Sequence, residues 1–336
     1  VIKYLGSKRL LLPFILQACK DLVSDGTVLD LFSGTSRVGQ ALKAAGYRVF
    51  SNDSNRYAEV VARCYIEADA EDHASFLEQT LPELNQAPSI DGWFTETYCR
   101  QSRFFQAENG VRIEGMRQTL EGMNLDDTQK AILMVAVMEA ADRVDSTTGV
   151  QMAFLKQWAK RASNTLELRA PELLPRSKGG NCEAWCLDAL DAAKKFQGDL
   201  VYLDPPYNQH SYLGNYHIWE TLVRWDQPEV YGIARKRVDC RERRSPFNSK
   251  PGFKSAFGAV LDALHGHPMV ISFSDEGYIS RAEMVLLLEQ HGTVEVRTQE
   301  HPRYVGAKIG IHNQQGEKVG KVSHLRNKEY LFLVSP

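Results

Sequence analysis

No apolar run in this 336-residue sequence approaches the roughly 20 residues that a bilayer-spanning helix needs. A membrane protein is therefore not expected, and a hydrophobic fraction of 43% with 24% charged residues suits a soluble globular chain. The six cysteines (Cys19, Cys64, Cys99, Cys182, Cys186, Cys240) include no C-x-x-C pair, which argues against a disulfide framework and a zinc site and suits reduced thiols in a cytoplasmic protein. His265 and His267 lack a companion carboxylate or cysteine pattern, so they read as loop surface and no metal is expected. Neither G-x-G-x-x-G nor G-x-x-x-x-G-K-[ST] occurs, which disfavours a dinucleotide and a P-loop nucleotide. The net charge of -2 lacks the basic excess of many nucleic-acid binders, so any such contact must come from local clustering. Internal repeats and low-complexity segments are also missing. No signal-peptide pattern opens the chain, which starts at Val1 and not at Met, so targeting is excluded only for the residues at hand.

What is present is an alternation. Short β-branched or aromatic runs bounded by turn residues predict strands at Val28–Phe32, Arg48–Asn52, Ala184–Leu187, Leu200–Leu203, Met269–Phe273, Val294–Arg297 and Tyr330–Val334. Amphipathic stretches at Ser36–Ala45, Ser211–Trp225, Phe253–Leu264 and Ser280–Gln290 lie between them, predicting an α/β fold with a mostly parallel sheet covered by helices. From about Tyr57 to Pro175 helical periodicity takes over, as in Thr128–Val144, and the Pro- and Gly-containing run Leu173–Gly180 suits a linker back to the sheet. The expected organisation is a discontinuous α/β domain, 1–56 and 181–336, with a helical insertion at 57–180.

Val28-Leu29-Asp30-Leu31-Phe32-Ser33-Gly34-Thr35 is a hydrophobic strand running into a small-residue turn and then a helix, a junction that presents backbone N–H groups to a ligand. A second strand ends at Asn52-Asp53, placing a carboxylate where nucleotide folds hold ribose hydroxyls. Together they suggest an adenosine-type ligand, although a strand–Gly–helix turn also occurs in α/β proteins that hold nothing there.

The buried-strand pattern Asp199–Leu203 stops at Asp204-Pro205-Pro206-Tyr207, because proline gives no ladder donor and cannot continue a central strand. The tetrapeptide thus sits at a strand's carboxyl end, where open α/β sheets bind ligands. An ionised Asp204 only accepts hydrogen bonds, and the proline carbonyl has no competing N–H, so the pair is suited to an amino group. The nitrogen of an aromatic amine is a poor nucleophile; two fixed acceptors pull it toward tetrahedral geometry and stabilise the positive charge that develops as it attacks a methyl group. Tyr207 offers a π-face to a base, worth roughly 1–3 kcal/mol. A base within a duplex has to be flipped out to reach such a site. The competing reading is a double-proline turn with a capping Asp.

In this order the motifs resemble the D12 class of adenine-specific DNA methyltransferases, which includes Dam and FokI-type modification enzymes. Ile2-Lys3-Tyr4-Leu5-Gly6-Ser7-Lys8 looks like that family's N-terminal cofactor motif, Asp30–Thr35 like its Gly-containing motif, Asn52–Asn55 like its ribose-binding motif and Tyr202–Asn208 like its catalytic motif. The Ala140–Gly149 run is similar to one in FokI-like members. The resemblance implies a Rossmann-like class I methyltransferase sheet and S-adenosylmethionine as cofactor. It places Tyr4 and Lys8 near the methionine end, Phe32 and Gly34 under the cofactor, Asp53 on the ribose and Asp188 at the adenine, with Asp30, Thr35 and Asp204 also at the cofactor. Asp rather than Ser at the head of the tetrapeptide favours adenine. The order of motifs resembles the α group, which makes the insertion the target-recognition region of an enzyme acting on double-stranded DNA, in the cytoplasm of a bacterium, phage or archaeon, alongside a cognate restriction endonuclease.

Between Arg235 and Lys254 the basic residues Arg235, Lys236, Arg237, Arg241, Arg243, Arg244, Lys250 and Lys254 face only Asp239 and Glu242. Because this segment closely follows the catalytic strand it is read as a phosphate contact, the alternative being a solvated basic loop. Arg100, Arg103, Asn109 and Arg112 in the insertion fit DNA contact or exposed helix surface equally. Two other functions compete with a DNA adenine methyltransferase: methylation of adenine in RNA by the same centre, and a non-catalytic nucleic-acid-binding module that kept the fold.

Overall fold

A computed structural model describes residues 2–6, 8–275, 277–302, 311–312, 318–320 and 326–336, with backbone alone for those between 301 and 327. Ser7 of the N-terminal motif lies outside the described residues. The predicted strands all form, as β1 (Thr27–Asp30), β2 (Arg48–Asn52), β3 (Glu183–Trp185), β4 (Leu200–Leu203), β5 (Met269–Ser274), β6 (Thr293–Pro302) and β7 (Arg326–Ser335). They make one sheet in the order β3-β2-β1-β4-β5-β7-β6. Neighbours from β3 to β5 are parallel, and β7 runs antiparallel between β5 and β6. This is the mostly parallel α/β sheet that the sequence predicts, with an antiparallel strand inserted near one edge.

Each central strand reads as an unbroken apolar run because both of its faces are covered. In β4, Val201 and Leu203 enter a core closed by the helices Ala189–Lys195, Lys250–Ala263 and Arg281–Leu288. Leu200 and Tyr202 point the other way, into a core closed by Leu12–Leu22 and Arg37–Ala44. Local signals set the helix ends: Ser280 and Glu283 form a reciprocal capping box, as do Asp126 and Gln129 at the start of Asp127–Val144.

Residues 57–144 are mostly helical, with Ala70–Asn85, Ala107–Gly122 and Asp127–Val144 as the long elements, whereas 145–180 is irregular apart from the short turn Lys160–Ser163; no strand occurs among the described residues of 57–180. Most of the buried apolar side chains of 57–180 share a cluster with Ile2 and with Tyr216, Ile218, Trp219 and Leu222, residues that follow the Asp204–Tyr207 tetrapeptide, while Ala62 and Ile66 enter the core on one face of the sheet. Both ends of the segment are fastened to the sheet part. The Lys43 ammonium, fully buried, donates to the carbonyls of Ile66 and Ala68 at 2.9 and 2.8 Å and pairs with Asp69 at 2.7 Å, while at the return end Ser177 Oγ donates to Tyr47 O at 2.6 Å.

Candidate active site

β1 pairs with β2 on one side and β4 on the other, so the chain leaves the sheet in opposite directions at their carboxyl ends and a crevice opens there. A cleft of about 280 Å3 occupies that crevice. Tyr4, Lys8, Asp30, Phe32, Gly34, Thr35, Asp53, Asp188 and Asp204 all line it, together with Asn52, Pro206, Tyr212, Arg243, Arg244, Phe247 and Asn248. Pro205 is buried behind Asp204, and the ring of Tyr207 packs 5.0 Å from that of Phe273, so neither is part of the cleft wall.

The turn after β1 owes its shape to Gly34, whose φ of +52° is in the left-handed region that glycine adopts without strain. A Cβ at Gly34 would sit 3.1 Å from the Tyr4 ring, so the same residue also lets the N-terminal motif close over the turn. Gly34 N donates to Asp53 Oδ2 at 3.1 Å, and Asn55 donates to Oδ1 from its backbone and its side chain, both at 2.9 Å. Oδ1 thus has two donors, while Oδ2, with one, keeps acceptor capacity. Burial raises the Asp53 carboxyl above its ordinary range against these donors. Asn52 binds the strand ends together, giving Nδ2 to the carbonyls of Leu31 and Leu187, each at 3.2 Å, and accepting from Leu187 N at 3.0 Å. Asp188 is exposed and caps the following helix by accepting from Leu190 N at 2.9 Å.

At the end of β4, Asp204 is 21% exposed toward the cleft and its Oδ1 lies 3.2 Å from Lys8 Nζ. The same ammonium is 3.3 Å from Glu329 Oε2 on β7. Burial pushes the Asp204 carboxyl up to about 6, with Lys8 opposing the rise and Glu329 adding to it. Asp30, buried and accepting from Gly39 N at 3.1 Å, is raised to about 7 by burial and then by Asp204. For Lys8, burial disfavours the charge, but Asp204, Tyr207 and Glu329 outweigh it and hold the ammonium above its ordinary range.

The sequence did not single out several of these residues. Tyr4 stacks between Tyr212 at 5.3 Å and Tyr216 at 4.5 Å, and its hydroxyl meets that of Tyr57 at 3.1 Å. Asn248 donates to the carbonyls of Asn208 and His210 at 2.8 and 3.1 Å, fixing the loop after the tetrapeptide. Glu329 lies far along the chain without a motif around it and reaches the site only because β7 folds back beside β5.

The basic segment separates into different roles. Arg237, read from sequence as a phosphate contact, is instead buried at 2% exposure, with its guanidinium bonded to Asp226 at 2.7 and 2.8 Å and to Asp239 at 3.1 Å. It holds the short Val230–Tyr231/Lys236–Arg237 hairpin against the helix His217–Arg224 and cannot meet a phosphate. Arg243 lines the cleft and is tied down there, donating to buried Glu220 at 2.9 Å and to Ser54 O at 3.0 Å. Arg241 lies over the Tyr231 ring at 3.7 Å, Lys254 pairs with Glu283 at 2.7 Å, and Arg244 and Lys250 are exposed. Arg235 and Lys236 are half-buried in the hairpin turn and its second strand. In the helical segment Arg103 bonds Lys156 O at 2.6 Å and covers Trp158, Arg112 bonds Asn85 O at 3.2 Å, and Arg100 is exposed and paired with Asp91. Asn109 is buried, bonded to the carbonyls of Ala162 and Asn164 and to Leu166 N, so it shapes a loop and does not face solvent. Among the described residues, no three His, Cys, Asp or Glu side chains converge as a metal site, and no helix is long and apolar enough to cross a membrane.

A family model described as D12 class N6 adenine-specific DNA methyltransferase matches residues 4–250. The type II methyltransferase M.FokI of Planomicrobium okeanokoites is 30% identical over 315 residues, covering 88% of this chain and 48% of its own. The modification methylase StsI of Streptococcus sanguinis is 29% identical over 90% of this chain and 49% of its own. The type II methyltransferase M.NlaIII of Neisseria lactamica is 28% identical over 98% of this chain and 100% of its own. The chain thus spans about half the length of the first two relatives and the whole of the third.

Proposed function

The chain belongs to the D12 class of N6 adenine-specific DNA methyltransferases, and on that premise we propose that it transfers a methyl group from S-adenosylmethionine to N6 of an adenine flipped out of double-stranded DNA. The observation that carries the reading is the placement of Asp204 at the end of β4, on the wall of a cleft whose other walls are the Gly34 turn and Asp53.

The residues present fit this cofactor. Asp53 Oδ2 retains acceptor capacity for a ribose hydroxyl, and Gly34, against which the Tyr4 ring packs where a Cβ would sit, lines the same cleft. In this reading Tyr4 and Lys8 would hold the methionine end, Phe32 and Gly34 would lie under the cofactor and Asp188 would meet its adenine; all of them line the cleft. When bound, S-adenosylmethionine supplies a methyl group on a sulfonium, whose sulfur keeps the bonding pair on transfer. Asp204 and the Pro205 carbonyl accept the two N6–H groups, orienting the nitrogen lone pair toward that methyl and stabilising the charge that develops on nitrogen. The extra proton on N6 passes to the Asp204 carboxylate, leaving a neutral methylamine and a carboxylic acid. Lys8 holds Oδ1, which fixes the carboxylate plane. Tyr207 stacks on the flipped base after its ring swings off Phe273.

In this reading 1–56 and 181–336 form the catalytic part, and the helical 57–180 reads the target. Arg244 and Lys250, exposed beside the cleft, take phosphates. The relatives are named type II methyltransferases and modification methylases, and we extend that modification role to this chain, acting in the cytoplasm beside a cognate endonuclease.

Methyl transfer from labelled S-adenosylmethionine, measured on double-stranded DNA and on RNA side by side, tests the proposal. N6-methyladenine is expected in DNA, with Asp204→Ala lowering transfer at least 1,000-fold, about 4 kcal/mol of lost transition-state stabilisation, while cofactor affinity stays within a few-fold. Transfer confined to RNA, or equal inactivity of wild type and variant, would sink it.

A further inference from the structure

Resting on the methyltransferase reading above, we propose that Glu329 is a positioning residue of the reaction: through Lys8 it balances the charge beside Asp204, so that this carboxylate is held in place and can still take the proton that N6 sheds.

The geometry is a three-group bridge. Lys8 opens the turn Lys8–Leu11 and places one ammonium between the end of β4 and the start of the paired part of β7, 3.2 Å from Asp204 Oδ1 and 3.3 Å from Glu329 Oε2. The Lys8 and Glu329 side chains are only 7% and 10% exposed. Glu329 pairs across the sheet with Ser274 of β5 and Gln299 of β6, a setting in which a carboxylate is costly to keep without a cation. Two carboxylates around one ammonium leave a single negative charge. If Asp204 alone faced Lys8, the full attraction would favour its ionised form and weaken it as a proton acceptor; without Lys8, the two carboxylates would repel and one would stay protonated. The balance between these limits suits a group that must be ionised before the transfer and protonated after it.

Other titratable groups face the same carboxylate: Asp30 on β1, Tyr202 on β4, and Tyr207 and Tyr212 beyond it. The tyrosines are raised by burial and stay neutral through the range in which Asp204 titrates. Asp30 titrates near it and is present in every variant below, so a change between variants reports on the bridge and not on Asp30.

The test pairs two readouts on the full chain: the pH dependence of kcat for methyl transfer to adenine-containing DNA, and the 13C carboxyl titration of Asp204 in Asp-labelled protein, assigned with Asp204→Asn. In wild type both should show an acid limb near the value of about 6 to which Asp204 is raised. Glu329→Gln removes a negative charge and should move both downward by about one pH unit, whereas Lys8→Met removes the positive charge and should move both upward. Cofactor affinity of Glu329→Gln should remain within twofold of wild type, and Glu329→Asp, which keeps the charge on a shorter side chain, should return the limb to near its wild-type position. The proposal is overturned if Glu329→Gln leaves both readouts at the wild-type pH or moves them upward. Should that variant fail to fold, Glu329→Met, which keeps the length of the side chain without its charge, decides by the same two readouts: a limb left at the wild-type pH or moved upward overturns the coupling. If the titrations move as expected but wild type transfers no methyl group to DNA, the functional reading is the one that fails.

Discussion

At the scale of single residues, Gly34 carries two requirements at once. Its left-handed φ allows the turn after β1 to present Gly34 N to Asp53, and its missing Cβ leaves room for the ring of Tyr4. An alanine there meets about 1–2 kcal/mol of backbone strain and also crowds Tyr4. Gly34→Ala is therefore expected to weaken S-adenosylmethionine binding by tenfold or more, since about 1.4 kcal/mol corresponds to a factor of ten; isothermal titration calorimetry reads this directly, and an unchanged affinity would remove Gly34 from the cofactor wall. Asp204 and Asp53 show how environment separates like side chains. Both are carboxylates at strand ends, but Asp53 meets three backbone and amide donors, while Asp204 faces one ammonium shared with a second carboxylate.

At the scale of elements, the chain between Arg235 and Lys254 reads as one basic stretch but folds into the second strand of a hairpin, a loop on the cleft wall and the first turn of a helix. Sequence spacing cannot tell a guanidinium aimed at solvent from one aimed at a carboxylate, and Asp226, the main partner of Arg237, lies outside the stretch. Arg237→Met is expected to destabilise the fold by about 1–3 kcal/mol by stranding partly buried Asp226 and Asp239, visible as a lower denaturation midpoint. It should leave the slope of log K for DNA against log salt unaltered. Arg244→Ala should do the reverse, keeping stability and reducing that slope by about 0.9, one phosphate contact. A slope that changes with Arg237 and not with Arg244 would exchange their roles.

At the scale of the whole molecule, the helical part and the sheet part depend on each other. The apolar cluster of the helical segment is completed by Tyr216, Ile218, Trp219 and Leu222, and Lys43 is buried under the first turns of that segment. A chain with 63–175 replaced by a short linker should accordingly fail to fold, exposing the Trp219 face and leaving the Lys43 ammonium without Asp69. In the intact chain, denaturation followed by circular dichroism and by tryptophan fluorescence should give coincident transitions. A soluble, cooperatively folding deletion variant would show instead that the helical part is an independent insertion.

The sequence by itself determined the strands and the chemistry at their ends. Continuous apolar runs are legible because strands covered on both faces have no choice of pattern, and Pro205-Pro206 ends β4 by removing its backbone donors. Gly34, Asp53 and Asp204 sit at such ends, so their convergence follows once the strands lie side by side. Tertiary structure alone decided the partners that neutralise charge. Glu329 meets Lys8 because an antiparallel β7 enters between β5 and β6, and Arg237 turns inward because Asp226 and Asp239 lie beneath it. Periodicity encodes which face of an element is buried, whereas an ion pair between distant segments depends on distances that no local pattern records.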